Sequence, residues 1–198
     1  MSAVYVDSIK DKSNTKTLAT LSSSAVTLHS DATFPAGHII QLKHFHYDSD
    51  LTLTASYQSI PFIGTSNSGN LDYGCPITKI ASSNIYISGV CTHGFSDQTA
   101  ATNFRGLYSV DAGSNWSNFS INGGVGDFFH SMRQSWGDAD VRHATWQCSY
   151  QELVTGLSAG TVYIKIHVID FAATGFINRS NAGSETDCTT ITLMEVAT

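Results

Sequence analysis

Two histidines, His44 and His46, are the residues best placed for metal chemistry. In a β-strand, side chains two residues apart leave the same face, so both imidazoles would point the same way. Three copies around a threefold axis would bring six imidazoles together, enough for an octahedral transition metal. The alternative is an ordinary strand, because Ile40 and Leu42 share this face. The histidines would then be neutral and hydrogen-bonded, at the end of the core or in a subunit contact.

Catalytic signatures are absent from the sequence. It contains no phosphate-binding G-x-x-x-x-G-K-[ST], no G-x-S-x-G nucleophile elbow and no H-E-x-x-H zinc motif. Asp138, Asp140 and Glu152 are carboxylates of the type that glycosidases use, but such a pair needs a defined separation, and solvated loop acids are the commoner outcome. We therefore predict that the chain is not an enzyme and needs no cofactor, apart from the metal that His44 and His46 would bind.

The segment from 123 to 142 mixes aromatic and ionisable side chains with glycines and reads as a long loop. Loops longer than about a dozen residues are uncommon in compact domains and tend to be functional or disordered, and the aromatic residues argue against disorder. We predict a receptor-binding surface formed by Phe128, Phe129, His130, Arg133, Trp136, Asp138 and Asp140. The alternative is that the aromatic rings cover an open end of the fold or pack against a sister subunit.

Strands are the elements that would position these residues. Segments rich in β-branched and aromatic residues are separated by turn signals, and no helical periodicity appears. The predicted strands cover residues 39–47, 51–57, 76–80, 84–90, 104–110, 117–121, 144–150, 161–169 and 189–196. Short strands at regular spacing indicate a sandwich or a barrel, and we predict an all-β fold with an antiparallel, jelly-roll-like β-sandwich head.

Alternation within two of these strands predicts which side chains share a face. In segment 161–169, Val162, Ile164, Ile166 and Val168 would form a core face, opposite Tyr163, Lys165 and His167. In segment 39–47, Ile40, Leu42, His44 and His46 would lie opposite Ile39, Gln41, Lys43, Phe45 and Tyr47.

Composition limits the class of protein. The chain has 198 residues, only 13% of them charged, and a net charge of -6. Phosphate binding depends on clustered Lys and Arg, which are absent here, so we predict no nucleic-acid partner. Apolar runs are strand-sized and the N-terminus lacks a signal-peptide pattern, so we also predict no membrane insertion and no export by that route.

The four cysteines, Cys75, Cys91, Cys148 and Cys188, would permit two disulfides in any of three pairings. Without a secretory signal we predict free thiols, most of them small core residues. No C-x-x-C motif suggests zinc or thioredoxin-like chemistry.

The chain divides near Phe34. Residues 1–34 are polar, with short strand-like pieces too small to be stable alone, whereas residues 35–198 carry the aromatic and β-branched runs. We predict an N-terminal attachment arm, docking through Val4, Tyr5, Val6 and Ile9, and a β-sandwich head. Disorder of the arm is the alternative.

Four runs of sequence resemble a group of tail-fibre and appendage proteins of marine bacteriophages. They are residues 6–19, 34–41, 176–180 and 190–196, or VDSIKDKSNTKTLA, FPAGHIIQ, FINRS and TITLMEV. The resemblance implies a short attachment arm, a β-sandwich head, a homotrimer and a place in the virion, on the tail or the capsid, after assembly in the host cytoplasm.

The function that this resemblance implies is recognition of the host surface. The head would bind a cell-surface glycan or an outer-membrane protein, and the arm would contact other virion proteins. A capsid head fibre or a cement protein is the alternative, and a surface-polysaccharide depolymerase is third.

Overall fold

The computed structural model describes residues 8–10, 17–21, 26–28, 36–80, 83–96, 101–119, 130–133, 145–170, 174–180 and 187–198. Within these ranges the regular elements are β-strands and one 3-10 turn, Gly69–Leu71. The strands are β1 (Ser8–Lys10), β2 (Thr17–Leu21), β3 (Val26–Leu28), β4 (Ile39–Tyr47), β5 (Leu51–Thr52), β6 (Gln58–Ser59), β7 (Cys75–Lys79), β8 (Ser83–Phe95), β9 (Ala101–Ser109), β10 (Ser117–Asn118), β11 (His130–Arg133), β12 (Thr145–Val154), β13 (Gly160–Asp170), β14 (Gly175–Ile177) and β15 (Thr189–Ala197).

The head is a jelly-roll sandwich of two antiparallel sheets. Sheet I has the order β4-β15-β8-β12, with β14 and β5 extending it beside the end of β8. Sheet II is built on β13 and β9, with β6 and β7 beside β13 and with β10 and β11 beside β9. Two four-stranded sheets form the jelly roll, with the order β4-β15-β8-β12 in sheet I and β7-β13-β9-β11 in sheet II. The chain crosses repeatedly between them. This confirms the predicted fold class.

The core lies between the two sheets, and local alternation decides which side chains enter it. Val162, Ile164, Ile166 and Val168 of β13 are at most 1% exposed, as predicted, and they pack in one cluster with residues of β8 and β15. Along β4 the predicted alternation holds from Leu42 to Tyr47, but not at Ile39, which lies opposite Val196 beyond a bulge and is 50% exposed. Phe45 and Tyr47 point into the core, while Leu42 and His44 are exposed.

Two predicted strands differ from the structure. Segment 51–57 is not one strand, because the chain leaves sheet I after β5 and enters sheet II at β6. Within this crossing the backbone N–H of Thr54 donates to Gln58 Oε1 at 2.8 Å. A side-chain acceptor thus takes the place of the backbone carbonyl that a neighbouring strand would offer. The predicted strand 117–121 is described only as far as Phe119, and its regular part is β10.

The arm contains a small sheet of its own. Strands β1, β2 and β3 pair antiparallel with one another, and Ile9 in β1 lies opposite Ala19. Val4, Tyr5 and Val6, predicted as attachment residues, lie outside the described residues. The boundary at residue 34 stays a prediction, since the described part of the head begins at residue 36.

All four cysteines are free thiols, and three of them are core residues as predicted. Cys75, Cys91 and Cys148 are buried, whereas Cys188 is exposed just before β15. Burial raises the pKa of the Cys75 and Cys91 thiols, so both stay protonated at neutral pH.

Among the described residues, no helix is long and apolar enough to cross a bilayer.

Gly106 in β9 is required by the packing of Phe119. A Cβ at position 106 would overlap the Phe119 ring, which lies directly over this glycine in the core. We therefore expect Gly106→Ala to lower the free energy of unfolding by about 1–3 kcal/mol, because an overpacked core must shift side chains or backbone. Urea unfolding measures the loss.

A double-mutant cycle separates this overlap from a backbone effect of the substitution. In a Phe119→Ala background the added methyl group has room, so Gly106→Ala is expected to cost much less there. Equal costs in both backgrounds would show that the Phe119 ring is not the reason for the glycine.

Candidate functional site

Five of the seven predicted receptor-binding residues lie outside the part of the chain that the structure describes. Phe128, Phe129, Trp136, Asp138 and Asp140 are outside the described residues. His130 and Arg133 form the two ends of β11, which pairs antiparallel with β9. The segment predicted as one long loop is therefore interrupted by an edge strand of sheet II, which its polar sequence, His-Ser-Met-Arg, does not reveal.

His44 and His46 lie on the outer face of sheet I, not at the end of the core. His44 is exposed, and its Nδ1 lies 2.9 Å from Thr192 Oγ1 on the neighbouring strand β15. Within the described residues no cluster of three or more His, Cys, Asp or Glu side chains could hold a metal ion. One chain thus offers two imidazoles, and a metal site would need further ligands from other subunits.

The densest group of ionisable and aromatic side chains lies on the outer face of sheet II. We call it the outer-face cluster; it comprises Tyr57, Asp72, Arg105, Trp116, Lys165 and His167. β13 supplies Lys165 and His167, and β9 supplies Arg105, which pairs in register with His167. The segment between β6 and β7 carries Asp72 over this face.

Lys165 is held by a carboxylate and an aromatic ring. Its side chain is 5% exposed, and its Nζ lies 3.3 Å from Asp72 Oδ2 and 4.0 Å from the centroid of the Trp116 ring. Ser59 Oγ donates to the same Asp72 oxygen at 2.8 Å. Asp72 itself has a φ of 37°, in the left-handed region, so its position depends on these partners.

The other half of the cluster is built on Tyr57. The guanidinium carbon of Arg105 lies 3.7 Å from the centroid of the Tyr57 ring, and the His167 ring stacks on the same tyrosine with centroids 5.9 Å apart. Arg105 Nη2 lies 3.5 Å from His167 Nδ1. Cation–π and stacking contacts therefore join the segment before β6 to the outer face of β9 and β13.

Electrostatics keep His167 neutral. Burial lowers its pKa to about 4, and the positive charges of Lys165 and Arg105 act in the same direction, whereas Asp72 opposes them. Burial also lowers the pKa of Lys165, and Asp72 partly compensates. The cluster contains no nucleophile beside a general base. Its groups bind one another, so its role is structural: it holds residues 57–74 against sheet II.

The sequence indicated only part of this cluster. Alternation along β13 placed Lys165 and His167 on the face away from the core, and this is confirmed. Nothing local linked them to Tyr57, Asp72 or Trp116, which contact them across long stretches of sequence. Glu152, the one described member of the three carboxylates, accepts a 3.3 Å hydrogen bond from the adjacent Leu153 N–H.

Asn178 joins three segments at one end of sheet I. Its Nδ2 donates to the carbonyls of Tyr47 and Ser49 at 2.6 and 3.1 Å, and its Oδ1 accepts from Thr189 Oγ1 at 2.7 Å. Asn178 is fully buried with a φ of 65°, a conformation that asparagine tolerates better than most residues. Although Asn178-Arg179-Ser180 fits the N-glycosylation pattern, this amide is engaged inside the folded head.

Comparison with known proteins leaves the family open. No family model matches the sequence, and no curated protein matches it. Eiger TNF from S. frugiperda is similar at 11% identity and a TM-score of 0.44, covering 80% of this chain and 93% of that one. A protein of Bacillus endospore appendages, described as disulfide-linked pili, has 11% identity and a TM-score of 0.32, covering 84% and 97%. The infectious bursal disease virus Gt strain structure has 7% identity and a TM-score of 0.41, and the match spans 90% of this chain and 42% of that one.

Proposed function

We propose that this chain is a structural protein of a bacteriophage virion, a tail fibre or appendage, and that it is not an enzyme. It assembles as a homotrimer in the host cytoplasm, its arm contacts other virion proteins, and its head binds a host cell-surface glycan or an outer-membrane protein. The observation that carries the proposal is the division of the chain into a complete sandwich and a small arm sheet that pairs only with itself among the described strands.

The arm sheet is small. Its strands have 3, 5 and 3 residues, mostly shorter than the usual five or six, and three strands are the fewest that form an independently stable sheet. The head, by contrast, has a continuous core with both sheets contributing. An arm that gains its stability on another protein suits an attachment device better than it suits a free enzyme.

The runs that resemble phage fibre proteins have structural roles in the head. Segment 34–41 includes the start of β4, segment 176–180 contains the Asn178 network, and segment 190–196 lies within β15. All three belong to sheet I. A shared framework in sheet I, with different loops elsewhere, supports the use of the fold as a scaffold for recognition.

A capsid head fibre or a cement protein is the second candidate. It is favoured by the exposed apolar residues on the outer face of sheet I, such as Leu42 and Leu153, which suit a contact with protein. A surface-polysaccharide depolymerase is the third candidate; of its three candidate carboxylates, Glu152 in β12 is the one that the structure describes.

Labelling of intact virions tests the proposal, together with deletion of residues 1–34. An antibody against the head is expected to label tail appendages. The truncated head should fold, because residues between 45 and 193 form one buried cluster among the described residues, but it should be absent from particles. Full-length protein expressed in the same way is the control. Uniform labelling over the capsid surface would favour a cement protein. Absence of label would reject a virion role. Normal incorporation of the truncated head would show that the arm is not the anchor.

A further inference from the structure

An apolar row crosses the whole outer face of sheet I. Leu42 of β4 lies opposite Met194 of β15, Met194 lies opposite Tyr86 of β8, and Tyr86 lies opposite Leu153 of β12. Leu42 and Leu153 are 56% and 44% exposed, so the two ends of the row are open to solvent. A continuous row of large apolar side chains across four strands differs from the scattered exposed residues of an ordinary surface.

The face around this row carries no formal charge. Its outward positions are Ile39, Leu42, His44, His46, Asn84, Tyr86, Ser88, Val90, Gln147, Ser149, Gln151, Leu153, Thr190, Thr192, Met194 and Val196, with Ile39 opposite Val196 beyond a bulge in this pair of strands. None of them is Asp, Glu, Lys or Arg. Absence of charged residues, with Met194 and Tyr86 at the middle of the apolar row, is typical of an interface centre.

We propose that this face binds a second copy of the same chain. Two copies with a net charge of -6 each repel one another, and an uncharged face allows close approach at the lowest electrostatic cost. A partner selected by charge would find no complement here. The proposal rests on the self-assembly in the proposed function, but it does not depend on a place in the virion.

The size of the face fits a protein partner. Four strands about 4.8 Å apart and seven residues along each give a face of about 19 Å by 22 Å, roughly 400 Å² in projection. The accessible area is larger, because the side chains stand out from the sheet. The smallest specific interfaces bury on the order of 600 Å² per partner, so a stable contact would use this whole face together with residues at its rim.

The histidines gain a location from this arrangement. His44 lies in the row next to the apolar row and His46 in the row after it, on β4, which is an edge strand of sheet I. An interface over this face would therefore include both histidines, and the predicted metal site requires that it place imidazoles of different subunits close together.

The test uses the full chain. Its sedimentation is measured at protein concentrations from about 1 to 100 µM, and oxidative footprinting of Met194 is measured at the two ends of this range. We expect an oligomer, with Met194 protected more at the higher concentration. Met194→Lys and Leu42→Lys, both outside the core, should weaken association by on the order of 30-fold or more. Val110→Lys is the matched control, because Val110 is 54% exposed but follows β9 of sheet II.

Each outcome bears on the proposal. A monomer at every concentration overturns it; if Met194 is then also protected at every concentration, a segment of the same chain covers the face. An oligomer that withstands both lysine substitutions places the interface elsewhere. A dimer that they dissociate supports this inference while removing the trimer from the proposed function, and failure of particle labelling leaves the inference intact.

Discussion

Glu195→Ala is expected to lower the free energy of unfolding by about 4 kcal/mol, since removal of a buried, hydrogen-bonded charge is among the most destabilising changes. Glu195 is 1% exposed. Its Oε1 accepts from Ile80 N at 2.5 Å and from Ser83 Oγ at 2.6 Å, and its Oε2 accepts from Gln41 Nε2 at 2.7 Å. One carboxylate therefore joins β4 and β15 to the corner between β7 and β8.

The same carboxylate supports a nearby lysine. Lys79 donates to the carbonyls of Ile80 and Leu157, both at 2.8 Å, and burial lowers its pKa while the charge of Glu195 opposes this effect. Without Glu195, Lys79 would remain buried with less compensation. The loss of stability thus has two sources, the unpaired donors and the less compensated ammonium group.

Urea unfolding, monitored by two spectroscopic probes, measures this loss. A thermal midpoint lower by roughly 10 °C is the corresponding change for a chain of this length. Glu195→Gln should lose less, because one side-chain oxygen remains as an acceptor. Glu152→Ala is the control in sheet I, expected to change stability by less than about 0.5 kcal/mol. Similar losses for Glu195→Ala and Glu152→Ala would contradict the role of this carboxylate.

Local periodicity explains what the sequence could predict. The faces of β13, and those of β4 from Leu42 to Tyr47, follow from local alternation and agree with the structure. The bulge that leaves Ile39 exposed opposite Val196 does not follow from it. Strand pairing does not follow from such information. β15, near the end of the chain, lies between β4 and β8 because that order completes a closed core, and only contacts far apart in sequence determine it.

The candidate surfaces show the same limit. The shared face of His44 and His46 was predictable, but its apolar row depends on the register of four strands. Burial of Lys165 was not predictable, because Asp72 and Trp116 cover it from distant segments. The departure of segment 51–57 from sheet I after Thr52 also reflects the global path of the chain, since its local composition suits a single strand.

Because of His167, we expect the free energy of unfolding of the head to fall by about 3 kcal/mol as the pH is lowered from about 6.5 to about 4. Its pKa is about 4 in the folded chain, against an ordinary value of 6.5, and each tenfold change in proton affinity is worth about 1.4 kcal/mol. The folded state favours the neutral ring. This stabilisation is therefore fully present above pH 6.5, declines as the unfolded chain takes up a proton, and is lost near pH 4.

The surroundings of His167 account for this direction. Its side chain is 13% exposed and meets Lys165 along its own strand, Arg105 on β9, Asp72 from the loop above and the Tyr57 ring. Protonation would place a third cation beside Lys165 and Arg105, with Asp72 as the nearby carboxylate. The cluster that holds residues 57–74 on sheet II would thus be weakened in acid.

Urea unfolding of wild type and His167→Gln at several pH values between 7 and 4 isolates this contribution. Carboxylates elsewhere also respond to acid, but they do so in both proteins. The difference in unfolding free energy between the two proteins should therefore shift by about 3 kcal/mol over this range, in favour of the variant at low pH. Parallel curves for wild type and His167→Gln would show that this histidine does not resist protonation, and the acid response of the head would then have to come from its carboxylates.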